Sequence, residues 1–366
     1  MKLEEKIGQL LMIGFSGAEL NKQTRDFCER NHIGGFILFE RNYKSLPQLI
    51  NLTSELHEIS KGTTPLIAVD QEGGRVIRFR EPFTQIPPAN TIGKLISRDK
   101  DSVKISYEIG KIIGSELSVS GVNMNLAPVL DLHTNARNMV IGDRSFGSDP
   151  ILVSQIGLSM VAGMQDQHVI ACGKHFPGHG DTEDDSHKVL PVVQHDIKRL
   201  LSVEIRPFSH CVKNGMLSVM TAHVKYEKID NQYPASISEI IVGKLLRKSL
   251  RFTGIVITDD LGMGAIKKNY SVEESALLSI KAGADIVMVC NDIEVQKRVY
   301  ESLLNAVLNK KIEETRINES VARILRIKNQ FLLPFKSDVK KAAEVVGNNS
   351  HRKFMSFLEA QMKGLT

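Results

Sequence analysis

Eight short apolar runs, each bounded by turn residues, recur along this chain of 366 residues and constrain its fold more than any other feature. They are Leu10 to Gly14, Gly35 to Phe39, Pro65 to Val69, Val122 to Pro128, Val169 to Gly173, Ser218 to Ala222, Gly254 to Thr258 and Ala284 to Val289. Runs this short and this apolar suit parallel strands covered on both faces. Between them lie stretches with apolar residues three to four apart, such as Ile151 to Met164, Ile197 to Lys213 and Glu273 to Ala282, which read as amphipathic helices. Eight strand-then-helix units predict an α/β chain closed into a single-domain (β/α)8 barrel of TIM type, with extra C-terminal helices. The barrel is expected over residues 1–335 and a helical tail over 336–366. A doubly wound open sheet is the rival, but no Gly-x-Gly-x-x-Gly follows the first strand, so dinucleotide binding loses its main support.

Composition narrows the function classes. With 42% hydrophobic and 24% charged residues the chain is ordinary globular material. The net charge of +5 is scattered, with no arginine-rich arm interleaved with aromatics, which argues against a nucleic-acid partner. Cys28, Cys172, Cys211 and Cys290 are far apart and read as reduced thiols. The amino terminus balances its lysines with glutamates, unlike a signal peptide, and no segment has the length of a membrane span. The expectation is a soluble cytoplasmic protein with no membrane partner, a monomer being favoured.

If the barrel is right, charge collects at one rim. Strand three ends in Asp70-Gln71-Glu72, strand four in Asp131, strand five in Lys174-His175, strand six in His223 and strand seven in Asp259-Asp260, whereas the opposite ends begin with small or apolar residues such as Pro65, Gly254 and Ala284. That asymmetry is what an active-site face produces. After strand five, the stretch from Lys174 to His187 carries one lysine, three histidines and three aspartates. Its Pro177, Gly178 and Gly180 forbid a regular helix, so these groups are expected on a shaped loop. Asp185, two residues before His187, could hold the imidazole in one tautomer as a general acid/base; a capped surface turn is the bland alternative. His175, His179, Asp185 and His187 could instead form the metal site of a metal-dependent hydrolase, although Pro177 and Gly178 break the helix that would align the first two. Ser186 lacks the Gly-x-Ser-x-Gly elbow of a serine hydrolase. Of Asp259 and Asp260, strand parity lets only one face the barrel axis, and helix capping competes with catalysis. The pairs Gly34-Gly35 and Gly73-Gly74 lack P-loop spacing and are expected to serve tight turns or close packing.

The run from Lys174 to Thr182, followed by Asp185-Ser186-His187, resembles the signature of the β-N-acetylglucosaminidase branch of glycoside hydrolase family 3. Co-linear matches extend along the barrel, at Gly34 to Phe39, Val69 to Val76, Leu126 to Asp131, Ile141 to Phe146 and Ile257 to Met263. The resemblance implies a retaining exo-β-N-acetylglucosaminidase that needs no metal or cofactor and acts on a carbohydrate, releasing N-acetylglucosamine from muropeptides or related β-glycosides in peptidoglycan recycling. It implies Asp259 as nucleophile, Asp185 and His187 as an acid/base dyad, and Asp70, Arg78, Arg144, Lys174 and His175 as groups holding the sugar. The alternatives are the metal-dependent hydrolase above or a family 3 β-glucosidase. Histidine has an ordinary pKa near about 6.5, which suits a proton donor at neutral pH without the desolvation a carboxylic acid needs.

Overall fold

The computed structural model describes residues 1–60, 62–98, 103–183 and 189–363. All eight apolar runs form strands: β1 Leu11–Ile13, β2 Gly35–Leu38, β3 Leu66–Val69, β4 Met124–Asn125, β5 Ile170–Phe176, β7 Ser218–Thr221, β9 Ile255–Asp260 and β10 Ile286–Val289. They close into a barrel of order β1-β10-β9-β7-β5-β4-β3-β2, with every pair parallel. The expected (β/α)8 barrel is therefore the observed one. Two further short strands, β6 Val192–Val193 and β8 Lys225–Tyr226, pair with each other outside it.

Differences from the expected elements have local causes. β4 is shorter than expected because Pro128 has no N–H to continue the ladder, and only an isolated bridge from Val129 to Lys174 prolongs it. β5 is longer: it runs to Phe176, so Lys174 and His175 stand on a strand end, not on the loop, which begins at Pro177. The helix expected from Ile197 to Lys213 is two helices, Ile197–Ser202 and Arg206–Lys213, the second with Pro207 in its first turn, where a missing N–H costs nothing.

The chain ends in helices Glu314–Phe331, Val339–Val345 and Asn349–Lys363. The last two are tied to the barrel's outer layer through Glu116, a buried carboxylate that accepts from Gly347 N (2.9 Å), His351 Nδ1 (2.8 Å) and Thr84 N (2.9 Å). Cys28, Cys172, Cys211 and Cys290 are buried thiols. Among the described residues, no helix is long and apolar enough to cross a membrane.

The rim at the strands' amino-terminal ends is not apolar throughout, contrary to the sequence reading. Asp285, fully buried there, accepts from Ser320 Oγ and Val256 N and pairs with Arg247 and Arg323. Lys328, 2% exposed, donates to Gln9 Oε1 (2.9 Å) and to the carbonyl of Gly34 (2.8 Å). Both acceptors are neutral, and burial brings the ammonium pKa down to about 7. The unfolded chain keeps this proton up to about pH 10.4, so between that pH and about 7 the unfolded state binds more protons and stability rises with pH. Urea unfolding at pH 7, 8 and 9 should show a positive contribution of up to about 1.4 kcal/mol per pH unit in the wild type. Lys328→Met should remove that increment; equal slopes for the two proteins would show that Lys328 keeps its ordinary titration.

Candidate active site

The carboxyl ends of β3 and β5 build the floor of the site. After β3 the chain turns sharply through Gly73 (φ +111°) and Gly74 (φ +58°), where a Cβ on Gly74 would lie 2.9 Å from Pro88 Cα. Gln71 holds the turn: its Oε1 accepts from Arg78 N and Phe79 N, its Nε2 donates to the Phe79 carbonyl, and Asn125 on β4 pairs with its backbone. Arg78 is thereby folded back over Asp70, with Nη2 3.1 Å from Oδ2. On β5 the register against β7 slips between Gly173 and Phe176. Such an irregularity re-aims side chains, and here both Lys174 and His175 border the same cavity.

Lys174 Nζ lies 2.7 Å from Asp70 Oδ1 and 2.5 Å from Glu72 Oε1, and Arg144 grips Glu72 in a bidentate pair at 2.8 Å for both bonds. Burial alone would raise both carboxyl pKa values. The cations outweigh it, holding Asp70 well below the usual range and bringing Glu72 down to about 2. Burial likewise disfavours charged Lys174 and Arg144, yet their carboxylate partners keep both firmly protonated. The result is a rigid alternation of fixed charges, three cations and two anions, on the cavity wall.

Asp131, fully buried beyond β4, orients the histidines. It accepts from the backbone N–H of His175 and of His179 (2.7 Å for the latter) and contacts His175 Nδ1 at 2.6 Å. This fixes the His175 ring, and the residue lines the cavity. His179 Nδ1 lies 3.0 Å from Thr182 Oγ1, and burial lowers its pKa to about 4. Gly180 follows where a Cβ would sit 1.6 Å from the Leu132 carbonyl, so only glycine lets the segment pass. Among the described residues, no group of three or more His, Cys, Asp or Glu side chains is placed to hold a metal ion. Asp185 and His187, named above for the dyad and for a metal site, lie outside the described residues.

The parity argument for Asp259 and Asp260 does not hold. The register of β9 against β10 shifts between Ile286 and Met288, and both aspartates border the cavity. Their hydrogen bonds distinguish them instead. Asp260 Oδ1 accepts from Gly262 N and Cys290 N, both at 3.1 Å, which pins that carboxylate to the wall, and burial raises its pKa despite those donors. Asp259 Oδ1 accepts from Asp260 N at 2.8 Å. Burial also keeps the Cys290 thiol well above its usual pKa, so this cavity-lining cysteine is neutral.

The cavity is about 610 Å³, and Asp70, Arg78, Arg144, Lys174, His175 and Asp259 all line it. Six residues named from the sequence thus converge on one space. Glu72 and Asp131 were noted only as strand ends, and neither was given a role. Their signal was present, an acid beside Asp70 and an acid ending strand four, but their partners Arg144 and His175 are 72 and 44 residues away. Glu72→Gln should lower stability by about 3 kcal/mol, because two buried cations lose their shared counter-charge. Denaturant unfolding checks this, and an unchanged midpoint would mean that solvent or Asp70 compensates.

Residues 2–327 match the family model described as Glycosyl hydrolase family 3 N terminal domain. The chain is 36% identical over 296 residues to a β-hexosaminidase of Hydrogenovibrio crunogenus, covering 79% of this chain and 82% of that protein. A family 3 β-N-acetylglucosaminidase from Paenibacillus sp. str. FPU-7 superposes with a TM-score of 0.91 at 37% identity, over 99% of this chain and 69% of that one. NagZ from Neisseria gonorrhoeae, solved in complex with N-trifluoroacetyl-D-glucosamine, superposes with a TM-score of 0.82 at 31% identity, over 96% of this chain and 97% of that one. With the barrel, the rim of fixed charges and these matches in agreement, the chain belongs to glycoside hydrolase family 3.

Proposed function

We propose that the protein is a retaining exo-β-N-acetylglucosaminidase in which Asp259 is the nucleophile and Asp185 with His187 forms the acid/base dyad. The convergence of Asp259 with Asp70, Arg78, Arg144, Lys174 and His175 on one cavity carries this reading. Retaining glycosidases need one carboxylate aimed at the anomeric carbon. Asp259 suits that task better than Asp260, whose oxygen is committed to two backbone donors.

The chemistry takes two displacements. In the first, Asp259 attacks the anomeric carbon and forms a glycosyl ester while His187 gives its proton to the departing oxygen. In the second, His187 takes a proton from water, which attacks the same carbon, frees Asp259 and restores the original configuration. Asp185 holds the imidazole and supports its cationic form. Among the described residues Arg78 Nε is buried without a hydrogen-bond partner, a donor that a sugar hydroxyl or acetamido oxygen would satisfy. The carboxylates of Asp70 and Glu72 and the cations beside them supply the fixed acceptors and donors that orient a pyranose. A relative crystallised with an N-acylated glucosamine supports the choice of sugar. The reading extends to a cytoplasmic enzyme acting on muropeptides in peptidoglycan recycling.

Reaction with a slow 2-deoxy-2-fluoro or 5-fluoro glycoside, followed by peptide mass analysis, should place the label on Asp259; label on Asp260, or inversion at the anomeric carbon, would reject the assignment. Aryl N-acetylglucosaminides should exceed the matching glucosides in kcat/KM by orders of magnitude, since losing a positioned polar contact leaves buried partners unpaired. Parity, or a glucoside preference, would move the protein to the β-glucosidase alternative. Arg144→Ala should raise KM or lower kcat for the preferred sugar, and a variant with both unchanged would remove Arg144 from the sugar site.

A further inference from the structure

The helices Val339–Val345 and Asn349–Lys363 lie beyond the residues matched to the family model, yet they are joined to the segment that carries Arg78. That segment leaves β3 through Gly73 and Gly74, passes Arg78 and Thr84, and returns at Ile86, whose carbonyl accepts from Gly74 N (2.8 Å). Its two arms meet through buried aromatic rings. Phe79, next to Arg78, packs on Phe83, next to Thr84, with ring centroids 5.2 Å apart, and Tyr43 contacts both. Thr84 then meets the buried carboxylate of Glu116: its N–H donates to Oε2 (2.9 Å) and its hydroxyl to Oε1 (2.5 Å). The same Oε1 accepts from Gly347 N (2.9 Å) and His351 Nδ1 (2.8 Å). Glu116 thus ties the tail and the Arg78 segment to one helix, Val103–Val119. A second contact joins the two without it. Gly347 has φ +59°, and a Cβ there would overlap the carbonyl oxygen of Pro82, two residues before Thr84.

We propose that the C-terminal helices brace the sugar site: His351 and Gly347 are positioning residues that hold Arg78 over Asp70 through Glu116, Thr84 and the Phe79–Phe83 contact. This rests on the sugar-holding role given to Arg78 under Proposed function. Gln71 fixes the backbone of Arg78 and Phe79 from the side of the turn, and Phe83 with Thr84 fixes the same stretch from the side of the tail. Hydrogen bonds to a carboxylate are short and directional, so Glu116 sets where Thr84 lies and not merely that it is buried. Helix Val339–Val345 packs on Val103–Val119 and on Leu46–Ile59, while Asn349–Lys363 packs on Ala89–Arg98, the helix into which the Arg78 segment runs. With His351 removed, Oε1 of Glu116 keeps its donors from Thr84 and Gly347, so the fold survives and the placement of the segment changes. A donor to a sugar works only at its proper distance, and a displacement of about 1 Å is costly. Thr84, Glu116, Gly347 and His351 do not border the cavity, whereas Arg78 does, so the brace reaches the sugar through Arg78.

The test measures the competitive inhibition constant of N-acetylglucosamine against an aryl N-acetylglucosaminide for wild type, His351→Ala, His351→Asn, Gly347→Ala, Arg78→Ala and the double variant His351→Ala with Arg78→Ala. That constant does not depend on how much enzyme is folded, so a role confined to stability leaves it unmoved. His351→Ala and Gly347→Ala should each weaken inhibition by about 3- to 10-fold, less than the roughly 100-fold that a full misplacement costs. His351→Asn, whose amide can donate from near the place of Nδ1, should restore the wild-type value. Arg78→Ala should weaken inhibition further, and adding His351→Ala to it should cost nothing more, because the brace acts through the residue already removed. Unchanged inhibition in the tail variants, no rescue by His351→Asn, or a tail effect of the same size without Arg78 would overturn the proposal. Should Gly347→Ala fail to fold, His351→Ala decides by the same criteria. If Arg78→Ala weakens inhibition and the tail variants do not, the brace alone is rejected; if Arg78→Ala changes nothing, the sugar-holding role of Arg78 falls and the proposal falls with it.

Discussion

Closure of the barrel is the constraint on which the rest depends. β1 pairs with β2 on one side and with β10 on the other, so the barrel is closed and all eight carboxyl ends face one way. Parallel pairing then does what local sequence cannot. It brings Asp70 of the third barrel strand, Lys174 of the fifth and Asp259 of the seventh to a common mouth, although nearly two hundred residues separate the first from the last.

Within that mouth a buried ammonium sets the electrostatics. Lys174 is 2% exposed and could not remain charged there alone, since desolvation opposes it. Two carboxylates answer it, and Arg78 and Arg144 answer them. Each charge is tolerable because the next is present, which makes the wall stiff and polar at once. A wall of this kind presents donors and acceptors already fixed in place, the property that orients a sugar without further ordering on binding. At the other rim Asp285 is paired with arginines and Lys328 donates to neutral protein groups. The functional rim thus differs from the structural one less in carrying charge than in directing it at an open cavity.

Register irregularities did what regular strands could not. A uniform alternation would have turned one of Lys174 and His175, and one of Asp259 and Asp260, away from the mouth. Slips between β5 and β7 and between β9 and β10 bring both members of each pair to it. Parity counted on a sequence assumes a uniform alternation and has no access to such irregularities.

By itself the sequence determined the eight strands, their alternation with helices and the barrel they imply, since hydrophobic period and turn residues are local signals. It also marked Asp70, Arg78, Arg144, Lys174, His175 and Asp259, through strand-end position and through resemblance to a family. Only the tertiary structure decided how these charges are paired. Glu72 as the shared partner of Lys174 and Arg144, Asp131 as the clamp on His175, Asp285 as a partner of arginines and Lys328 as a donor to Gly34 follow from contacts between distant segments. It also distinguished the hydrogen bonding of Asp259 from that of Asp260, since Gly262 N and Cys290 N meet on one oxygen of Asp260 whereas Asp259 accepts from Asp260 N. Chain order records which charges exist, whereas their energies depend on burial and on partners, and both are properties of the packed fold.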